Sequence, residues 1–425
     1  MHARRSAVLF VSTALLLATC GDDDDDAVSD ASAASEATEG GGGDTTAAGS
    51  AAPAAGGDTT AAGSAAGTSG DTTAAGSAAP GTGGDTTAAG SAAGTSGGGG
   101  GDCVVGVSWN NYQEERWAKW DEPALKAAIE DGGGSYISND AKSSAETQAS
   151  NVENLISQGA NVLVILAQDG TAILPSVASA VSQGIPVISY DRLIDSPDAL
   201  YMSFDNVKVG ELQAEAILEV VPEGNFIIIK GNAADANADF LREGYVNAGI
   251  PAEGESSETI TIVGEDYTDN WDASIAQTTT EQFLTEANNE VDAVLSENDG
   301  MAGGVVAALE AQGLAGEVPV SGQDGDQAAL NRIALGTQTV DVWKDSRLLG
   351  TAAGEAAVQL CANPDIAAVE GTAPFTSPEG NELTSILLDP QAITQDNLDV
   401  VLDAGWIDEA TLCEGVEAGS VAVCG

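Results

Sequence analysis

Seven short stretches of this 425-residue chain combine fork-shaped cations, carboxylates, amides and indoles within a few residues of one another. They are Arg116 with Trp117, Asp191 with Arg192, Asp235 with Asn237, Trp271, Asn298 with Asp299, Gln323 with Asp324, and Trp343 with Lys344. Carboxylates accept protons from hydroxyls, while guanidinium, ammonium and amide groups donate to oxygen lone pairs. Indole faces cover apolar C–H surface. Together these groups suit a ring that carries hydroxyls on its edge and C–H bonds on its faces, which is the chemistry of a monosaccharide. A neutral ligand also agrees with a site that holds both Asp191 and Arg192.

Each group has a plainer explanation beside this one. Asn298-Asp299 reads equally as a helix N-cap. Asp191-Arg192 reads as a structural ion pair, and Gln323-Asp324-Gly325-Asp326 as a turn. Trp109 and Trp120 read better as packing residues than as ligand contacts. Asp266, Asp269 and Asp272 have carboxylate spacing but lack the glycine and distal Glu of a calcium loop, so no metal is expected. No cofactor loop and no nucleophile–base pair is visible, and an enzyme is the weakest reading. The one histidine, His2, falls in a segment expected to be removed, which excludes His-based catalysis and His-ligated metals.

What gives these groups a common purpose is the elements that precede them. Val104–Val107, Asn161–Leu166, Ile185–Tyr190, Phe226–Ile229, Ile260–Val263, Val291–Leu295, Val318–Ser321 and Thr337–Val342 are short apolar runs bounded by turn signals. Such runs fit strands buried on both faces of a parallel sheet. Helical patterns lie between them. Ser143-x-x-Glu146 reads as a capping box, followed by Ala149, Val152 and Ile156 on one face and by Gly159 at the C′ position. A second helix runs from about Ala172 to Gln183. Regular alternation of this kind predicts an α/β chain with two doubly wound parallel sheets, whose ligands bind outside the carboxyl ends of the strands. The chemistry-bearing residues stand at those ends.

The N-terminal quarter differs. Arg4 and Arg5 precede an apolar run from Val8 to Ala18, too short to span a bilayer but suited to a signal-peptide core. Leu17-Ala18-Thr19-Cys20-Gly21 resembles a lipobox, which makes Cys20 the expected lipidation site and 1–20 a lipoprotein signal peptide. The Arg pair leaves twin-arginine export open. Residues 21–101 are low in complexity, with Gly-Asp-Thr-Thr-Ala-Ala-Gly-Ser-Ala-Ala recurring from Gly43, Gly57, Gly70 and Gly84. That composition buries too little apolar area to fold and reads as a disordered tether with a reach of roughly 50 Å. The chain carries 66 acidic and 13 basic residues, a net charge of -53, which repels phosphate backbones and excludes nucleic acid as a natural partner. Cys103, Cys361, Cys413 and Cys424 suit disulfides in an oxidising compartment; of the three pairings, Cys413–Cys424 is favoured as a clip on the tail.

From about 103 to 410 the chain resembles the D-xylose-binding proteins of bacterial ABC importers, which have the type I periplasmic-binding fold. The matching stretches include Glu115-Arg116-Trp117, Glu146-Thr147-Gln148, Tyr190-Asp191-Arg192, Ser203-Phe204-Asp205-Asn206-x-Lys208-Val209-Gly210-Glu211-Leu212-Gln213, Ser321-Gly322-Gln323-Asp324 and Gly336-Thr337-Gln338-Thr339. The resemblance implies two lobes joined by three crossovers, near Asp205-Asn206, Asp341–Lys344 and Asn381. It places 102–205 with 344–381 in the N-terminal lobe and 206–343 with 382–425 in the C-terminal lobe. It also implies sugar-binding roles for Arg116, Asp191 and Arg192 from the first lobe, for Asp235, Asn237, Asn298 and Asp324 from the second, and for Lys344 beside a crossover. Trp117 and Trp271 would sandwich the ring. Ala236 departs from the amide expected between Asp235 and Asn237. The function implied is a monomeric, membrane-anchored, extracytoplasmic subunit that captures D-xylose and hands it to an ABC permease. The alternatives are another pentose or a hexose, or a sugar sensor for a signalling receptor.

Overall fold

The computed structural model describes residues 103–425 except Ser256. The signal segment, Cys20 and the tether lie outside the described residues. Along the chain the first lobe contains β1 (Val104–Trp109), a π-helical turn at Trp117–Asp121, α1 (Glu122–Asp131), β2 (Ser135–Asp140), α2 (Ala145–Ser157), β3 (Val162–Ile165), α3 (Leu174–Ser182), β4 (Val187–Tyr190) and β5 (Ala199–Phe204). The second lobe follows with α4 (Asn206–Val220), β6 (Gly224–Lys230), α5 (Ala236–Ala248), β7 (Ile260–Tyr267), α6 (Ala273–Glu286), β8 (Ala293–Ser296), α7 (Asp299–Gln312), β9 (Ser321–Gln323), α8 (Gln327–Leu335) and β10 (Val340–Trp343). The chain then returns to the first lobe for α9 (Ser346–Ala362), β11 (Ala373–Thr376) and β12 (Glu382–Leu388). It ends in the second with β13 (Gln391–Ile393), α10 (Asp399–Asp403) and α11 (Glu409–Leu412).

The first lobe is built on one seven-stranded sheet of order β11-β12-β5-β4-β3-β1-β2, parallel except for the edge pair β11/β12. In the second lobe β7-β6-β8 and β9-β10-β13 form two three-stranded parts, linked by a parallel bridge between Val294 and Val320. This is the type I arrangement of two doubly wound lobes. The strands are short and apolar because both faces are covered: every residue of β3 and of β4 is buried. Val105, Val107, Val164 and Ile188 meet the helices on one face of the first sheet, and Leu163, Ile165 and Val187 face α2 and α3 on the other.

Two local expectations shift. The cap of α2 is Ser144, whose hydroxyl accepts from Thr147 N at 3.1 Å, while Ser143 sits at φ 60° in the entering turn. The second difference concerns the third crossover. Residues 382–388, expected in the C-terminal lobe, form β12 and pair in parallel with β5 of the first. The Pro378-Glu379-Gly380-Asn381 sequence is the hairpin turn between β11 and β12, with Gly380 at φ 86°, and the chain crosses between lobes after Leu388.

Disulfides join Cys103 to Cys361, tying the start of β1 to α9, and Cys413 to Cys424 within the tail, with Cα–Cα separations of 5.6 and 5.5 Å. Among the described residues no helix is long and apolar enough to cross a membrane.

Candidate functional site

Parallel strands aim their carboxyl ends the same way, so the loops that follow them collect at one edge of each lobe. The two edges face each other across a narrow polar cavity. Its lining includes all ten residues to which the resemblance gave sugar-binding roles, Arg116, Trp117, Asp191, Arg192, Asp235, Asn237, Trp271, Asn298, Asp324 and Lys344, but not Asp299 or Trp343. Glu114 and Gln323 complete it.

Arg116 lies between β1 and the π-helical turn and is fully buried. Its Nε and Nη2 donate to the two oxygens of Asp121 at 3.1 and 2.8 Å, which fixes the plane of the guanidinium. Nη2 also meets Asp191 at 3.0 Å, and Nη1 reaches across the cleft to Asp324 at 3.2 Å. Burial works against this charge, but Asp121, Asp191 and Asp324 outweigh it and hold the guanidinium above its ordinary pKa. The same group lies 4.3 Å from the centroid of Trp117.

Asp191 directly follows β4 and adopts φ 63°, a left-handed conformation that Asp tolerates better than most residues. The turn is held by backbone contacts: its carbonyl accepts from Ser203 Oγ at 2.7 Å and from Asn237 Nδ2 of the other lobe at 3.3 Å. Its neighbour Arg192 does not pair with it. Arg192 donates to Glu114 at 2.9 Å and meets Asp235 of the second lobe at 2.9 Å.

In the second lobe Asp235 caps α5 through Asn237 N at 3.0 Å and accepts from Trp271 Nε1 at 3.2 Å. Asn298 caps α7 through Met301 N at 2.9 Å and still lines the cavity. The side chains that cap these two helices therefore also line the cavity. Asp324 sits at φ 105° after β9, 3.8 Å from the ammonium of Lys344, which stands at the second crossover. Burial lowers the Lys344 ammonium below its ordinary pKa, with Asp324 and Asp191 opposing. Burial likewise pushes the carboxyls of Glu114 and Asp235 up, against the pull of Arg192.

The set is thus a ring of bent donors and acceptors, preorganised by capping bonds and ion pairs and closed at the sides by two indoles. Glu114 escaped sequence reading. Its neighbour Glu115 pairs with Lys119 on the outside of the turn, whereas Glu114 turns inward to Arg192 and Trp117 Nε1. Of the remaining indoles, Trp109 is buried in the first lobe's core, and Trp120 and Trp343 both pack in a cluster around Trp406. Ala236 opens α5 and packs beside Phe240 and Phe375 instead of lining the cavity.

Residues 105–365 match a family model described as a periplasmic binding protein domain. The D-xylose-binding periplasmic proteins of Escherichia coli and Haemophilus influenzae are each 39% identical to this chain. The first match covers 72% of this chain and 92% of its own, and the second 70% and 88%. Among solved structures, a carbohydrate transporter solute-binding protein from Chloroflexus aurantiacus in complex with D-glucose is similar with a TM-score of 0.65 at 28% identity. That match covers 73% of this chain and 98% of the other.

Proposed function

The chain belongs to the periplasmic binding protein domain family, and from that membership we propose that it captures a neutral monosaccharide, D-xylose, between its lobes and delivers it to an ABC permease. The observation that carries this reading is the convergence of both lobes' strand-end residues on one polar cavity flanked by two indoles. Each pyranose hydroxyl both donates and accepts, so it fits between a carboxylate and a guanidinium such as Asp191 and Arg116. A well-made charge-assisted bond contributes about 1.5–3 kcal/mol. Trp117 and Trp271 offer apolar faces to the C–H surfaces.

Hinge closure around the ligand is the established motion of periplasmic binding proteins. A sugar drives closure only to the extent that it binds the closed form better than the open one. Groups divided between the lobes would supply that difference: Arg116, Asp191 and Arg192 on one side, Asp235, Asn237, Asn298 and Asp324 on the other. The closed form is the one the permease would engage. In this proposal Cys20 carries the lipid anchor, residues 21–101 form the tether, and the binding unit works as a monomer outside the cytoplasm.

A second reading keeps the role and changes the sugar, and the glucose complex of the similar Chloroflexus protein favours it. Calorimetric titration of the purified chain with D-xylose, L-arabinose, D-ribose, D-glucose and D-galactose separates the two. Xylose is expected to bind most tightly and to raise the unfolding midpoint. Tightest binding of a hexose would transfer the assignment to that sugar, and no binding across the panel would overturn it.

A further inference from the structure

The segment after β13 contributes no side chain to the cavity lining, yet it reaches the turns that carry the lining. Trp406 is 1% exposed. Its Nε1–H donates to the carbonyl of Gly325, the residue after Asp324. Its ring stacks on Trp120 with centroids 4.5 Å apart and planes at 24°, and meets Trp343 edge-on at 5.5 Å and 70°. Trp120 lies on the π-helical turn that begins with Trp117 and directly follows Arg116, and that turn belongs to the first lobe. Trp343 precedes Lys344. One buried side chain therefore touches three supports of the cleft: the Arg116–Trp117 turn, the Asp324–Gly325 turn and the strand leading into Lys344.

The contact between Trp120 and Trp406 also crosses between lobes. Trp406 packs with Leu330, Ile333 and Ile393 of the second lobe. Arg347, at the start of α9, places its guanidinium 5.6 Å from the Trp120 centroid and 5.1 Å from that of Trp406, and donates to Ala404 O at 3.0 Å. A stacked indole pair next to a crossover has a preferred geometry, so it resists relative sliding of the elements it joins. The Asp324–Gly325 turn needs such support because Asp324, a residue with a Cβ, is held at φ 105°.

We propose that Trp406 is a positioning residue for the sugar cleft: it holds the Asp324–Gly325 turn in place and joins it to the first lobe through Trp120, so that affinity depends on a tail residue that never touches the sugar. This inference rests on the sugar-binding reading above.

Two variants dissect it. Trp406→Phe keeps an aromatic ring and removes the N–H to Gly325; Trp120→Ala removes the first lobe's half of the stack and leaves that hydrogen bond in place. D-Xylose and D-glucose are titrated by calorimetry, and dissociation is followed by stopped-flow tryptophan fluorescence. Each variant is expected to weaken the tighter sugar by about tenfold, the worth of one hydrogen bond or one aromatic pair, mainly through faster release. Loss of the packed Trp120 ring should also lower the sugar-free unfolding midpoint, so affinity and release are measured well below the midpoints of both variants, where each is fully folded. Parental affinity and release rate in Trp120→Ala, or in a folded Trp406→Phe, would overturn the inference while leaving the sugar-binding reading intact. An unchanged chain that binds neither sugar would overturn that reading, and this inference with it.

Discussion

Trp271 lies over Gly231 so closely that a Cβ on the glycine would overlap three atoms of the indole's six-membered ring. The glycine is thus a condition of the indole's place in the cleft. Trp271 has little freedom to retreat, because Asn270 and Trp271 both hold left-handed φ values of 56° and 57° and Nε1 is bonded to Asp235. In Gly231→Ala the ring must swing out of the cavity or the strand end must shift. Sugar affinity should fall by tenfold or more, and the strain should cost about 1–3 kcal/mol of stability, as overpacking does. Calorimetric titration and thermal unfolding of this variant measure both; undiminished affinity would show that Trp271 does not contact the ligand.

Asp191 offers a cleaner test of the polar ring. Its backbone, not its carboxylate, holds the turn after β4, through Met202, Ser203 and Asn237. Asn tolerates the same left-handed φ, so Asp191→Asn should fold as the parent does. Arg116 would keep Asp121 and Asp324 as partners. Loss of one charge-assisted bond to a hydroxyl, about 1.5–3 kcal/mol, corresponds to roughly 10- to 100-fold weaker binding. A variant with native circular dichroism and parental affinity would remove Asp191 from the site.

The charge of the lining predicts what the cleft refuses. Glu114, Asp191, Asp235 and Asp324 face Arg116, Arg192 and Lys344, and all three cations already have carboxylate partners. A ligand carboxylate or phosphate would find no uncommitted cation and several like charges, a juxtaposition that costs several kcal/mol. D-Glucuronate and D-xylose phosphates should bind at least 100-fold more weakly than the neutral sugar under the same conditions. Comparable affinity for an anionic sugar would require a different protonation pattern in the cleft.

The placement of the site was readable because parallel sheets send every strand to the same edge. Residues immediately after Ile185–Tyr190 or Val318–Ser321 had nowhere to go but the cleft. The choice between Glu114 and Glu115 was not readable. Adjacent identical residues in a loop carry no periodicity, and Arg192, 78 residues away, decides which one turns inward. The same holds for β12, whose partner β5 lies far back in the chain, and for Trp120 and Trp406, which meet across most of the described sequence. Local pattern specifies elements and their ends, but contacts between distant segments are set by packing that no short window contains.

Beneath the Asp324–Gly325 turn two further carboxylates converge. Asp299 Oδ2 and Asp341 Oδ1 both accept from Gly325 N at 3.1 Å, and both side chains are buried. Burial raises the Asp341 carboxyl from 3.8 to about 7, with Asp324 and Asp326 adding to the effect and the hydrogen bonds from Asp299 and Gly325 N opposing it. Burial and then Asp341 raise Asp299 as well, against Arg332. The pair therefore keeps a proton that the unfolded chain gives up. Between pH 3.8 and about 7 an unfolded Asp341 ionises while the folded one does not, so the contribution of Asp341 to stability declines as pH rises through that window. Asp341→Asn replaces the protonated form with an isosteric amide that can accept from Gly325 N and donate to Asp299. The variant should lose much of that decline and be more stable than the parent at pH 8, by an amount of the order of a few kcal/mol. Calorimetric unfolding midpoints of both chains from pH 4 to pH 8 test this directly: parallel profiles would mean that the two carboxylates do not share a proton.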